Sequence, residues 1–115
     1  MTDLPGIAEV TGACTLPTAE QPLRIAEWNE IFATAVTGAH RSASLQATFP
    51  LQPGTEVAAR VADLMVRETQ CCSFFIFGLT ASGSGLELTV TVPPAQAPVL
   101  DALVNQATAM AEGQR

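Results

Sequence analysis

The sequence predicts an α+β domain of two layers, with helices packed on one face of a mostly antiparallel sheet. Three segments carry apolar residues at helical spacing, and two others alternate apolar and polar residues as strands do. A Gly/Ser-rich turn at residues 81–85 joins two strand-like segments into a hairpin. Because helices interleave with antiparallel strands along the chain, we expect them to cover one face of the sheet. The predicted order is β-α-β-α-β-β-α.

The first half of the chain predicts a strand, a helix and a second strand. Residues 7–16 form the short first strand, which Gly12 interrupts and Pro17 closes. The helix begins near Thr18 or Glu20 and ends at Gly38. Its buried stripe consists of Ile25, Trp28, Phe32, Ala35 and Val36. Residues 42–49 then alternate as a strand, with Ala43, Leu45, Ala47 and Phe49 on one face.

The second half predicts a helix, a hairpin and a closing helix. Thr55 is the predicted N-cap of the second helix. The apolar stripe of this helix is Val57, Val61, Leu64 and Met65, and its continuation falls on Glu68, Cys71 and Cys72. A strand opening at Phe75 leads through the turn into a return strand over residues 86–92. That strand should bury Leu86, Leu88, Val90 and Val92 on one face. The last helix covers residues 95–111.

Length and charge restrict the class of protein. We expect 115 residues to form one domain over residues 1–115, with residues 1–6 as a loose tail. The net charge is −6 and all five basic residues are arginine, which argues against nucleic acid and anionic membranes as partners. The sequence has neither the ~20-residue apolar run of a membrane span nor the pattern of a signal peptide. We therefore predict a cytoplasmic protein whose thiols stay reduced.

The adjacent cysteines Cys71 and Cys72 are the strongest chemical signal in the chain. On a helix, Glu68 lies three residues before the first and four before the second, so a carboxylate and two thiols share one face. Adjacent thiols close only a strained disulfide with each other. The remaining cysteine, Cys14, could complete a three-thiolate site if the fold brings it close. Such a site suits a soft metal or metalloid ion: arsenic(III), mercury, copper(I) or zinc.

Two other interpretations of the cysteines stay open. One thiol of the pair could be the nucleophile of a redox sensor or enzyme, with the other as resolving thiol and Glu68 as base. Alternatively all three cysteines fill gaps in the core of a ligand-binding or self-association domain. Two features weaken the metal hypothesis, because a helix C-terminus disfavours thiolates and a C-C pair matches no standard zinc spacing. Enzymatic activity is left open.

Few other residues carry a functional signal. Phe74 is expected to point away from Phe75 and to line a pocket beside the thiols as a ligand-binding residue. His40, the one histidine, opens a strand and is expected at the surface. The sparsely charged surface and the apolar last helix would suit a homodimer.

Two short motifs resemble a group of short, mostly uncharacterised bacterial proteins. The motifs are Ala13-Cys14-Thr15-Leu16 and Glu68-x-x-Cys71-Cys72-x-Phe74. In that group an early Cys-Thr-Leu precedes a central E-x-x-C-C-x-F element, a hairpin and a closing helix. The resemblance covers residues 13–110 and implies that Cys14, Glu68, Cys71, Cys72 and Phe74 are shared positions. It supplies no activity or substrate.

Overall fold

The structure is a computed structural model that describes the backbone of residues 21–112 and the side chains of residues 26–70 and 72–112. Its elements, in chain order, are α1 (Gln21–Thr34), β1 (His40–Ala43), β2 (Gln46–Leu51), α2 (Thr55–Cys71), β3 (Ile76–Ser82), β4 (Gly85–Thr91) and α3 (Ala97–Glu112). A 3-10 turn at Pro94–Gln96 leads into α3. The predicted first strand, over residues 7–16, and the predicted tail lie outside the described residues.

The four described strands form one antiparallel sheet in the order β1-β2-β4-β3. The predicted α+β class, with its mostly antiparallel sheet, is therefore confirmed. Strand β4 is central, because β2 pairs with it on one side and β3 on the other. Helix α2 connects β2 to β3, which are parallel to each other with β4 between them. None of the described helices has the length and apolarity needed to cross a membrane.

The core lies between one face of the sheet and the helices. Register places Ala47, Phe49 and Leu51 of β2 opposite Val90, Leu88 and Leu86 of β4, and all six are buried. They share one hydrophobic cluster with helical residues, among which Ile31, Phe32, Val61, Leu64, Leu100 and Ala107 are buried. The predicted inward face of the return strand is confirmed. The opposite face is more polar, and there Gln46 donates a side-chain hydrogen bond to the Thr91 hydroxyl at 3.1 Å.

The segment predicted as one strand over residues 42–49 is a hairpin. Its two strands, β1 and β2, are joined at Ser44 and Leu45, and their register shifts between Arg41 and Ala43. The prediction failed because the turn contains no glycine, proline or asparagine, the residues that usually identify a tight turn. Leu45 also stays half-buried, as the alternation predicted, whereas Ala43, predicted on the same face, is exposed.

Two predicted helix boundaries were wrong. Helix α1 ends at Thr34, not at Gly38, because Val36 forms an isolated bridge with Leu51 and leaves the helical path. Ala35 and Val36 are nevertheless buried, as their apolar character requires. At the start of α2 the N-cap is Gly54, and Thr55 is the first helical residue.

Because β4 packs only one of its faces against the core, substitutions at neighbouring positions should lower the free energy of unfolding by different amounts. Val90→Ala should lower the free energy of unfolding by about 1–3 kcal/mol, because it leaves a cavity at a residue that is almost fully buried. Thr91→Ala should cost about 1 kcal/mol or less, since it removes one half-buried hydrogen bond on the polar face. Urea unfolding followed by circular dichroism measures both. Equal costs would mean that both faces of the sheet are covered.

Candidate functional site

Glu68 is the buried carboxylate at the end of α2. Its side chain is 9% exposed, although it stands in the last turn of the helix. The indole Nε1–H of Trp28 on α1 donates a hydrogen bond to Glu68 Oε1 at 3.0 Å. The prediction that Glu68 continues the buried stripe of the helix is therefore confirmed. Burial and the negative end of the helix dipole both disfavour a carboxylate here, so its presence costs free energy.

Cys72 caps α2 one turn after Glu68. Its backbone N–H donates to the Glu68 carbonyl oxygen at 2.7 Å, and its own carbonyl accepts from the Phe75 N–H at 3.4 Å. The side chain is 2% exposed. Cys71 is the last helical residue, directly before this cap. The chain thus places Glu68 and a buried thiol in one turn at the junction of α2 and β3.

A row of four aromatic rings lines this junction. Trp28 stacks on Phe77 with ring centroids 5.7 Å apart, Phe77 lies 5.1 Å from Phe75, and Phe75 lies 4.5 Å from Phe74. We call Trp28, Phe77, Phe75 and Phe74 the aromatic row. Each of its members is half-buried. The row connects the indole that binds Glu68 to the turn that follows Cys72.

Phe74 does not point away from Phe75 as the sequence suggested. Their rings touch, so the two side chains lie on the same side of the chain. The alternation rule applies only inside a strand, whereas Phe74 lies in the turn before β3 begins at Ile76. Phe74 therefore belongs to the aromatic row, two residues after Cys72 along the chain.

Arg67 links the end of α2 to α1 through a salt bridge. Its guanidinium contacts Glu27 at 3.0 Å and Asp63, one turn back on the same helix, at 2.7 Å. The hydrogen bond to Glu27 is the main cause that raises the pKa of Arg67 above its usual value. The guanidinium of Arg67 therefore stays charged. Because both partners are carboxylates of other residues, Arg67 is engaged away from Glu68.

The salt bridges between α1 and α2 show which ends of the two helices lie together. Glu27 contacts Arg67 near the end of α2, while Glu30 contacts Arg60 further back at 3.5 Å. The two helices therefore run in opposite directions. Gln21 precedes Glu27 by six residues, about 9 Å along the helix. The start of α1 consequently lies at the same end of the molecule as Cys72.

Of the five predicted site residues, the structure brings Glu68, Cys72 and Phe74 into one region. The backbone of Cys71 lies between Glu68 and Cys72, and Cys14 lies outside the described residues. Among the side chains of residues 26–70 and 72–112, no three His, Cys, Asp or Glu residues form a group that could hold a metal ion. A three-thiol site would need Cys14 and Cys71 in addition to Cys72.

Trp28 is the site residue that sequence reasoning missed, since it was assigned to the core. A helical stripe shows that a residue faces inward, but not which partner it meets 40 residues away. One chemical signal was available: a partly buried tryptophan usually finds an acceptor for its N–H. Glu68, the one acidic residue on the apolar stripe of α2, was a candidate for that acceptor.

Comparison of the chain with protein-family models, with curated proteins and with solved structures finds no match in any of the three.

Proposed function

We propose that the protein binds one soft metal or metalloid ion per chain through the thiolates of Cys14, Cys71 and Cys72. Glu68 would be a fourth ligand, or would accept hydrogen bonds that orient the ligands. Phe74 would help shield the ion from water. The ions that suit such a donor set are arsenic(III), mercury, copper(I) and zinc. The observation that carries the proposal is a buried carboxylate one helical turn before a buried thiol.

The energetic cost of this arrangement supports a role beyond packing. An ionised carboxylate in the interior costs several kcal/mol unless its surroundings compensate. The hydrogen bond from Trp28 is one interaction that offsets part of this cost. A cation held by neighbouring thiolates would stabilise the carboxylate further.

Chain length supports the participation of Cys14. It precedes Gln21, at the start of α1, by seven residues. A fully extended segment of that length reaches about 25 Å, and a flexible one has a typical span of about 15 Å. Because the start of α1 lies at the same end of the molecule as Cys72, a segment of this length could bring Cys14 to the other two thiols.

Ion uptake by the reduced protein tests the proposal. The purified chain would be titrated with arsenous acid, Hg²⁺, Cu⁺ and Zn²⁺, and bound ion counted by native mass spectrometry. We expect about one ion per chain for at least one of the four, and loss of thiol alkylation once it is bound. Protein whose thiols were alkylated beforehand is the control. No uptake of any of these ions would overturn the proposal, and one rapidly alkylated thiol would then favour redox chemistry.

Glu68→Gln tests whether ion binding needs the charge of the carboxylate, because glutamine has nearly the same shape but is neutral. We expect ion affinity to fall by about 10–100-fold, as is typical when a residue that orients metal ligands is lost. Glu56→Gln is the matched control, because Glu56 is an exposed carboxylate in the first turn of the same helix. The Glu56→Gln variant should bind the ion with the same affinity as the wild type. An unchanged Kd for Glu68→Gln would remove Glu68 from the site.

The pH dependence should differ between ions. A thiol with an ordinary pKa near 8.5 releases a proton when it binds Zn²⁺, so zinc affinity should fall as the pH is lowered from 8 to 6. Arsenous acid instead loses one water for each sulfur–arsenic bond formed, with no net proton release. Its affinity should change little over the same range. Competition titrations at three pH values measure both, and a flat zinc profile would contradict thiol ligation.

A further inference from the structure

The two edges of the sheet differ in their protection against pairing with other strands. Strand β1 is four residues long, carries His40 and Arg41, and has an irregular register with β2. Strand β3 is seven residues long and pairs with β4 without any register shift. No other strand among residues 21–112 pairs with its outer side. Short, charged and irregular edges resist association, so within residues 21–112 the edge of β1 is protected and that of β3 is not.

The composition around β3 offers none of the usual protections. Residues 69–86 contain no charged residue and no proline. Natural edge strands commonly carry a lysine, a proline or a bulge that prevents a second chain from pairing with them. Ile76, the first residue of β3, is 66% exposed, the highest value among the large apolar side chains that are described as exposed. A regular, uncharged edge with an exposed isoleucine is typical of an interface.

Hairpin geometry identifies which backbone groups face outward. The loop between β3 and β4 has two residues, so Ser82 and Gly85 form the first hydrogen-bonded pair. Alternation then directs the N–H and C=O groups of every second residue of β3 toward β4. The intervening residues Phe77, Leu79 and Ala81 direct their backbone groups to the outer edge. Leu79 is the middle residue of the strand.

We propose that β3 pairs with β3 of a second copy of this chain, which joins the two sheets into one of eight strands. A two-fold axis through Leu79 makes the edge self-complementary, as symmetric dimers require. Leu79 would face the partner's Leu79, and Phe77 would face the partner's Ala81. In this antiparallel register every outward N–H and C=O of these residues has a partner.

Charge explains why a second copy fits this edge. Each chain carries a net charge of −6, so two copies repel unless their contact excludes charged residues. The stretch 69–86 provides such a contact. The last helix, which the sequence suggested for self-association, is less suitable because Val99, Leu100, Ala107 and Ala111 are buried in its own chain. The neutral edge of β3 is therefore the surface we assign to the dimer.

The dimer is independent of the ion site. Antiparallel pairing places the two copies of Ile76 at opposite ends of the shared strand pair, about 20 Å apart at 3.4 Å per residue. The turn that contains Cys72 precedes β3 in each chain, so the two thiol clusters are far apart. Each chain would bind its own ion whether or not the dimer forms.

Sedimentation of Leu79→Pro tests the interface. The wild type should sediment at about twice the chain mass of 12.0 kDa at tens of micromolar. Proline removes the outward N–H of Leu79 and blocks edge pairing, while the bonds to β4 lie at other residues. We expect this variant to be a folded monomer and Leu79→Val, the control, to remain a dimer. A monomeric wild type up to about 1 mM, or a dimer that Leu79→Pro leaves intact, would overturn the proposal.

Amide hydrogen exchange provides a second test if Leu79→Pro does not fold. In the wild type, protection of the Phe77, Leu79 and Ala81 amides should rise with protein concentration. Exchange that is fast at all concentrations would show an unpaired edge. Protection that persists at concentrations where sedimentation finds only monomer would show that the chain's own residues cover it. Both outcomes contradict a dimer through β3.

Discussion

Cys14→Ser should weaken binding of the soft ion by about 100-fold or more, equivalent to about 2.8 kcal/mol. This is the largest functional effect that we expect from any single substitution. Adjacent thiols such as Cys71 and Cys72 chelate one ion awkwardly, because consecutive side chains leave the backbone in different directions. The third thiol would complete the donor set, and serine replaces a soft sulfur with a hard oxygen that thiophilic ions bind poorly.

The measurement is a competition titration with whichever ion the wild type binds best. Thr15→Ser is the matched control, since it makes a similarly small change at the neighbouring position without touching a thiol. Circular dichroism of both variants separates lost binding from lost folding. If the wild type binds an ion and Cys14→Ser binds it equally well, then Cys14 is not a ligand and the site has two thiols. Absence of binding in the wild type is a different result, which rejects the site itself.

Phe49→Ala should destabilise the fold by about 3–5 kcal/mol, the largest stability effect that we expect. Phe49 is fully buried in β2, where it pairs with Leu88 and lies 6.1 Å from the ring of Phe32. Its removal opens a cavity between the sheet and α1 that neighbouring residues cannot fill. A loss of this size is a large part of the 5–15 kcal/mol that stabilises a typical domain.

Urea unfolding of Phe49→Ala and of a control, Phe74→Ala, measures how much free energy of unfolding each variant loses. Phe74 is also aromatic and contacts another ring, but it is half-buried in a turn. Its replacement should cost less than half as much, because water already reaches part of the ring. Similar losses at both positions would mean that the aromatic row is as much a part of the core as Phe49.

The parts of the fold that follow from periodicity were predictable from sequence. The alternation of β4 indicated its buried face, and the stripe of α2 indicated that Glu68 turns inward. Both signals are local, because side-chain direction in a regular element depends only on position along it. The same rule located Glu68 next to Cys72 at the end of the helix, which is the part of the site that sequence reasoning obtained.

The features that were missed depend on contacts or turns that periodicity does not encode. The hairpin at Ser44 and Leu45 has only a serine, a weak turn signal, to reveal it, and its half-buried leucine resembles a residue of an unbroken strand. Trp28 meets Glu68 only after two helices pack in opposite directions. Phe74 lies in a turn, where neither the helix nor the strand rule applies. Two of these errors lie in turns, and the third is a contact between two packed helices.

Trp28 also gives the unmodified protein an optical reporter. It is the only tryptophan of the chain, so the entire indole fluorescence originates from one side chain. That indole donates its N–H to Glu68 and stacks on Phe77, within the aromatic row that leads to Cys72. Any change in the charge or hydrogen bonding of the Glu68 carboxylate therefore alters the environment of the emitting group. The emission wavelength and quenching of Trp28 therefore report changes at the end of α2, and no added fluorescent label is needed.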